Sequence, residues 1–343
     1  MAELTTKRKP TQADVARRAA VSQAMVSYVL NDHPSVSVPS ETRRRILDAV
    51  EELGYVPNSA ARSLRTRKTM TIAAIIPDIT NPYYPAFNRG IQDVAETRGF
   101  DVVTYNTDGD LAKERKAIRS LQQGRVDGAI FNLFHLGPED LRPLVEMGLA
   151  AVVMARIDLP WTESGIDVLI VHNASAARAA VGYLIDRGHT RIGMVAGVVG
   201  TPPREGRVEG YRQALADHHI PLDEILIRAG DYTEAGGYEG MQELLKLSPR
   251  PTAVFAANDL MAMGALVALH EAGIRVPDEM AIVGFDDIPA ARLVHPPLTT
   301  VAQFPERLGK RAAEMLFERL GGTAPREGRR DIRECELIIR ETA

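Results

Sequence analysis

Residues 11–31 read TQADVARRAAVSQAMVSYVLN, and this stretch decides how the chain begins to fold. Thr11 followed three residues later by Asp14 has the form of a capping box, and Val15, Ala16 and Ala19 make the apolar stripe of a helix over about residues 12–19. Ser22 is placed to cap a second helix, in which Met25, Val26, Val29 and Leu30 share one face. Only the short joint through Ala20 and Val21 separates the two, so they must cross at a sharp angle, as a helix-turn-helix. The second helix turns Gln23, Ala24, Ser27 and Tyr28 away from the packed face. That patch is polar apart from Ala24 and matches what a reader of the DNA major groove presents. A third helix is expected from about Ser40 to Leu53, burying Ile46, Leu47, Val50 and Leu53 and ending at Gly54.

Charge is unevenly distributed around this motif. The whole chain of 343 residues carries 41 Lys and Arg against 45 Asp and Glu, a formal net charge of −4. Residues 1–69 hold 12 basic and seven acidic side chains, so a +5 head precedes a −9 body. The asymmetry fits a head that meets a polyanion, although a solvated charged surface has the same composition. With 45% hydrophobic and 25% charged residues, the chain falls outside collagen-like, disordered and disulfide-scaffold classes, and its length allows two or three domains. A lone Cys335 cannot form an internal disulfide. The first residues lack the apolar core of a secretory signal, and no stretch approaches 18 uncharged apolar residues, so a cytoplasmic protein with no membrane contact is expected.

After Pro57 the segment NSAARSLRTRK contains good helix formers but spans only two to three turns. Helices shorter than ~12–15 residues are marginal in water, so this one needs something to pack on; otherwise it is an interdomain linker.

From Met70 onward short β-branched runs alternate with amphipathic stretches. Strands are expected at TIAAIIP from 71, DVVTYN from 101, VDGAIFN from 126, AAVVMA from 150, DVLIVHN from 167, RIGMVAG from 191, EILIRAG from 224, TAVFAAN from 252, MAIVGF from 280 and ECELII from 334. Helices are expected over 85–98, 112–123, 175–187, 206–217, 235–246, 260–272 and 305–320. Continuous apolarity in strands indicates burial on both faces, hence parallel sheets built from βαβ units. About ten strands are too many for one ordinary sheet, so two successive α/β lobes are expected. In such sheets ligands bind beyond the carboxyl ends of strands. Those ends carry Asp78, Asn81, Tyr83 and Tyr84 in PDITNPYYPAF, then Arg207, Tyr232, Asn258 with Asp259, and Asp286 with Asp287. Charged and amide groups interleaved with aromatics suit a polar small molecule such as a sugar. Asp259 and Asp287 fit helix caps as well as ligand contacts.

The runs DVARRAAVSQAMVSYVLN and ETRRRILDAVEELGYVPNSAARSLRTRKT resemble the headpiece of the LacI/GalR family of bacterial transcription factors. The spacings GHTRIGMVAG, REGRVEGYRQAL, PTAVFAANDLMAMGAL, VPDEMAIVGFDD and PPLTTV resemble its effector domain, which is similar to periplasmic sugar-binding proteins. The resemblance covers essentially the whole chain. It implies a helix-turn-helix headpiece over residues 1–56, a hinge over 57–69 and an effector domain over 70–343. The lobes of that domain are expected at about 70–170 with 299–322 and at about 171–298 with 323–343.

Carried over by residue, the resemblance makes Gln23 and Ala24 base readers and gives Ser22, Ser27 and Asn31 phosphate or supporting contacts. Tyr28 stands where the family usually has Arg, and Met25 where Thr is usual. A Tyr cannot grip guanine bidentately, so relatives do not supply the operator sequence. The loop from Asp32 to Pro39 is about two residues longer than usual. Leu64 matches the leucine that wedges into the central base step of the minor groove when two hinge segments meet, and such a wedge is offset by the contact area that bending brings. Arg207, Asn258 and Asp286 match polyol-binding positions, Tyr232 the stacking aromatic, Asp78, Tyr83 and Tyr84 the first-lobe wall, and Gln303 a further contact. His172 replaces the acidic residue common before Asn173.

These readings imply a ligand-controlled regulator, expected to be a repressor. It would act as a homodimer on a near-palindromic operator in double-stranded DNA, with a sugar or related polyol favoured as effector over a nucleobase. No heptad repeat follows Gly321 and Gly322, which also points to a dimer. No cofactor, metal site or catalytic residue is expected: phosphate-loop, dinucleotide, zinc-protease and nucleophile-elbow motifs are missing, and His218 with His219 reads as solvated surface. Cys335 reads as a small buried residue in a strand. The rival readings are a solute receptor without a DNA role and a sugar-processing enzyme on the same lobes.

Overall fold

The computed structural model describes residues 8–30, 36–56, 68–154 and 160–343. They fall into two compact units, one within residues 1–69 and one spanning 70–343.

In the first unit α1 (Gln12–Arg18), α2 (Gln23–Leu30) and α3 (Ser40–Leu53) enclose a small core of Val15, Ala16, Ala19, Val26, Val29, Ile46 and Ala49. The carboxylate of Asp14 accepts from the Thr11 backbone N–H at 2.9 Å and from its hydroxyl at 2.6 Å, fixing the start of α1. Ala20 takes a left-handed backbone, φ 54°, which makes the tight joint between α1 and α2. Gly54 ends α3 with φ 60°, the conformation a glycine adopts at least cost. Leu47, expected in the core, is 47% exposed, and Ala49 is buried instead. The stripe that meets α1 and α2 runs through Ile46, Ala49, Val50 and Leu53, which leaves Leu47 a quarter-turn outside it. Asn31, Leu64 and residues 57–67 of the expected hinge lie outside the described residues.

The second unit contains two six-stranded sheets. One lobe is built from β1 (Thr71–Ile76), α4 (Tyr83–Thr97), β2 (Asp101–Asn106), α5 (Leu111–Leu121), β3 (Gly128–Asn132), α6 (Pro138–Glu146), β4 (Ala150–Met154) and β5 (Asp167–Val171). The chain then passes into the other lobe through α7 (Asn173–Asp186), β6 (Ile192–Ala196), α8 (Pro202–Asp217), β7 (Ile227–Ala229), α9 (Glu234–Leu245), β8 (Ala253–Ala256), α10 (Asp259–Glu271), β9 (Ala281–Asp286) and β10 (Thr299–Ala302). It returns with α11 (Pro305–Leu320) and β11 (Arg330–Arg333) to the first lobe, and crosses once more with β12 (Glu336–Ile338). The strand orders are β11-β5-β4-β3-β1-β2 and β12-β10-β9-β8-β6-β7, parallel throughout except for the antiparallel β10–β12 pair.

Central strands such as β1, with Ile72 to Ile76 almost wholly buried, contribute roughly 1.5–3 kcal/mol for each large side chain removed from water. Helices α4 and α11 lie against the first sheet and touch backbone to backbone. A Cβ on Gly309 would come within 1.9 Å of the Phe87 carbonyl oxygen, and one on Gly90 within 2.1 Å of that of Glu306.

The lobe segments differ from expectation in two places. Thr299–Ala302 pairs with β9 in the second sheet, so the return to the first lobe falls after β10, at Gln303 and Phe304. Arg330–Arg333 pairs with β5 in the first sheet and is therefore not part of the second lobe. The tie that draws it there is Asp167, buried at the start of β5, which holds Arg319 at 2.5 Å and Arg329 at 2.7 Å and accepts from the Arg329 backbone N–H at 2.8 Å. Cys335 lies between β11 and β12, at the last crossover, rather than in a strand. Helix α6 was not anticipated, and α8 begins four residues earlier than expected, which moves Arg207 into its second turn.

Candidate functional site

In the first unit Ser22, Gln23 and Ala24 are exposed at the amino end of α2, while Ser27 and Tyr28 are half-buried farther along it. Ser22 Oγ accepts the backbone N–H of Met25 at 3.2 Å, which satisfies one of the donors that open a helix. The free amino end thus presents Gln23 with Ala24, a short side chain that lets the helix lie close to another surface.

In the second unit one cavity of about 770 Å³ lies between the two sheets and is walled by residues that follow strands in both lobes. Seven of the eight expected ligand residues line it: Asp78, Tyr83, Tyr84, Arg207, Tyr232, Asp286 and Gln303. The placement follows from the topology, because parallel strands leave the loops after their carboxyl ends facing one another across the gap.

Arg207 and Asp286 form the centre. The Arg207 guanidinium is buried, donates through Nε to Asn173 Oδ1 at 2.9 Å and through Nη1 to the Ala257 carbonyl, and approaches Asp286 Oδ1 to 3.7 Å. Its central carbon lies 3.8 Å over the centroid of the Phe285 ring. Asp286 also accepts from Gln303 Nε2 at 2.5 Å. Burial pushes the Asp286 carboxyl up to about 6, with Arg207 and Gln303 pulling in the opposite direction. Its backbone φ of 118° lies where few residues with side chains settle, and Asp287 follows with φ 53°. A charged donor fork beside a carboxylate acceptor can grip vicinal hydroxyls from both sides, since a hydroxyl both donates and accepts.

The walls are aromatic. Tyr83 and Tyr84 meet edge to face with centroids 5.0 Å apart, and Asn81 Oδ1 accepts the Tyr83 backbone N–H at 3.0 Å to start α4. Burial raises both tyrosine hydroxyls above their ordinary range, so they stay neutral donors. Asp78 closes a local turn by accepting from the backbone and hydroxyl of Thr80.

Asn258 does not line the cavity. It is 1% exposed and caps α10, its Oδ1 accepting from Met261 N at 2.9 Å and its Nδ2 donating to the Tyr232 carbonyl at 2.9 Å. The local rule that favours Asn at a helix start has taken both ends of its amide, and it acts on the cavity only by holding Tyr232.

Of the two undecided carboxylates, Asp259 is buried and accepts from Ile288 N and Thr300 Oγ1, and burial raises its carboxyl well above the usual range. Asp287 pairs with Arg340 at 2.5 Å. Both are structural.

Many wall residues were not singled out by the sequence reading, and three of them matter for the geometry. Asn173 opens α7 at the lobe crossover and orients Arg207. Asn132 ends β3 and Phe134 follows it, and the rule that singled out other strand ends applied there as well. His172 lines the cavity at the crossover, its Nδ1 3.8 Å from Glu334. Among the described residues no cluster of His, Cys, Asp and Glu is arranged to hold a metal ion, and no helix is long and apolar enough to cross a membrane.

Residues 11–58 match the family model for bacterial regulatory proteins of the lacI family, and residues 181–343 that for a periplasmic binding protein-like domain. The ribose operon repressor of Escherichia coli K12 is 35% identical over 312 residues, 90% of this chain and 93% of that one. Among solved structures, the transcriptional regulator CelR in complex with cellobiose is 33% identical with a TM-score of 0.73, over 97% of this chain and 100% of that one. The lac repressor dimer bound to operator and the anti-inducer ONPF is 27% identical with a TM-score of 0.86, over 98% and 99%.

Proposed function

The chain belongs to the lacI family of bacterial regulatory proteins, and from that premise we propose that it is a sequence-specific transcriptional repressor controlled by a small polar ligand, most favourably a sugar. The observation that carries the reading is the joining, in one chain, of a helix-turn-helix with an exposed reading face to a cavity centred on the buried Arg207–Asp286 pair. Relatives support each half: one is named for the ribose operon, one was solved with cellobiose and one on its operator as a dimer. The protein then acts in the cytoplasm as a homodimer on a near-palindromic site, without a catalytic step.

In this reading Gln23 and Ala24 contact base edges, Ser22, Ser27, Tyr28 and Asn31 support the docking, and paired hinge segments place Leu64 in the minor groove. Asp78, Tyr83, Tyr84, Arg207, Tyr232, Asp286 and Gln303 hold the effector. Because these side chains come from both lobes, a bound ligand alters the angle between them, and a coupling of ~1–3 kcal/mol, about 5- to 150-fold in operator affinity, is the ordinary scale of such control.

The test is DNA binding by the full chain to its own upstream region, measured against salt and against a sugar panel. Salt-steep, sequence-selective binding altered by one sugar is expected. If deleting residues 1–69 leaves that affinity intact, the chain is a solute receptor instead.

A further inference from the structure

We propose that the cavity contains a second subsite, a wall made by Phe134 and Tyr232, which takes the second ring of a two-ring glycoside. The effector is then a glycoside rather than a free monosaccharide, an inference that rests on the sugar reading above and narrows it.

Arg207, Asp286, Asn173 and Gln303 form one linked hydrogen-bonding group, enough to hold one polyol ring, while other polar side chains such as Asp108, Asp231 and Thr233 line the cavity elsewhere. At about 770 Å³ the cavity lies in the upper part of the ~300–1,000 Å³ range of small-molecule sites, which leaves room beyond that ring. Phe134 enters this space from the loop after β3 in one lobe, and Tyr232 from the loop after β7 in the other. Their centroids are 6.3 Å apart and their planes inclined by 39°, so the rings meet across the cleft as one apolar surface.

Both rings are held in place. Glu114, wholly buried in α5, accepts three consecutive backbone N–H groups, from Phe134 at 2.7 Å, His135 at 3.2 Å and Leu136 at 3.1 Å. The His135 ring adds a 2.7 Å bond to the Gly109 carbonyl oxygen. A buried carboxylate is costly unless several donors satisfy it, and here those donors are the backbone of the loop that delivers Phe134. Glu114 is therefore a positioning residue. Opposite it, Tyr232 has φ 69°, shares a 3.0 Å hydrogen bond between its hydroxyl and Thr201 Oγ1, and lies flush on Gly197, where a Cβ would come within 2.0 Å of the ring. Surfaces fixed before binding lose little freedom when a ring packs on them, which favours a stacked second ring over water.

The experiment is calorimetric titration of the full-length protein with D-glucose, D-galactose and D-xylose, each beside its phenyl β-glycoside and its β-linked disaccharide, cellobiose, lactose or xylobiose. For the head sugar that binds, a glycoside is expected to bind about tenfold more tightly. Phe134→Ala should erase that preference while weakening the monosaccharide no more than about twofold. Phe134→Tyr should restore it, and Glu114→Gln should reduce it. If Phe134→Ala does not fold, Phe134→Leu, which keeps bulk without the ring face, serves the same comparison. Equal affinity for monosaccharide and glycoside overturns the subsite, as does an equal loss for both in the variants. Binding of none of the panel overturns the sugar reading together with it.

Discussion

Lowering the pH from about 7.5 to about 5 should weaken effector binding roughly tenfold through Asp286 alone. Its carboxyl, pushed up to about 6 by burial, is almost fully ionised at the upper pH and about one-tenth ionised at the lower. A carboxylate accepts hydrogen bonds from two ligand hydroxyls, whereas the protonated acid gives up part of that capacity. The groups around it are Arg207, Gln303, Tyr83, Tyr84, Tyr232, Cys335 and Asp259. Burial holds the three tyrosines and the Cys335 thiol neutral across this interval, the last pushed up to about 12.

Stability of the ligand-free protein should move the other way. Since the folded-state carboxyl lies above its unfolded value of 3.8, the folded chain binds the proton more firmly, and the contribution of this residue is greatest below about pH 4 and declines as pH rises towards 6. The whole effect is about 3 kcal/mol. Asp259, also raised by burial, has the same sign, so the comparison to make is wild type against Asp286→Asn. Titration calorimetry at several pH values measures the first effect and thermal unfolding the second. Affinity independent of pH, or a dependence that survives in Asp286→Asn, would refute the argument.

Arg207→Ala should abolish the response to effector while effector-free DNA binding, read by fluorescence anisotropy against salt, stays within about threefold of wild type. It also strands Asp286 without its cation, so an unfolding loss of ~3–5 kcal/mol is expected, and Arg207→Lys should recover part of it. Gly309→Ala forces a methyl into the Phe87 backbone and should cost ~1–3 kcal/mol in denaturant unfolding, whereas a cost below about 0.5 kcal/mol would show that α4 and α11 separate freely. Asp167→Asn should destabilise by ~3–5 kcal/mol at neutral pH. Burial acts to raise the Asp167 carboxyl, but Arg329 and Arg319 outweigh it and hold it below the usual range, so its contribution should fade on acidification below about pH 4 and the wild type should converge on the variant there.

The sequence by itself determined the helix-turn-helix, the alternation of strands and helices, and six of the eight expected cavity residues; a seventh, Gln303, was expected only from the resemblance to the LacI/GalR family. The others rest on short-range rules: the Thr11–Asp14 pair and Gly54 act within one helical turn, continuous apolar runs such as 71–76 mark strands buried on both faces, and the loops after such strands must share one side of the sheet.

What only the tertiary structure decided depends on partners distant in sequence. β11 is short and mostly exposed, so no apolar run announced it; its place beside β5 is set by Asp167, some 160 residues earlier, gripping Arg329. Asn258 carried the same local signature as a ligand contact and as a helix cap, and only the position of the Met261 N–H and the Tyr232 carbonyl shows that the cap took both ends of its amide. The same holds for Glu114, whose role in presenting Phe134 requires three N–H groups from another segment to converge on one carboxylate, and for Asp286, whose raised carboxyl follows from burial that no neighbour in sequence could signal. Periodicity and caps are written in adjacent residues, while desolvation and long-range pairing exist only once the chain has closed around them.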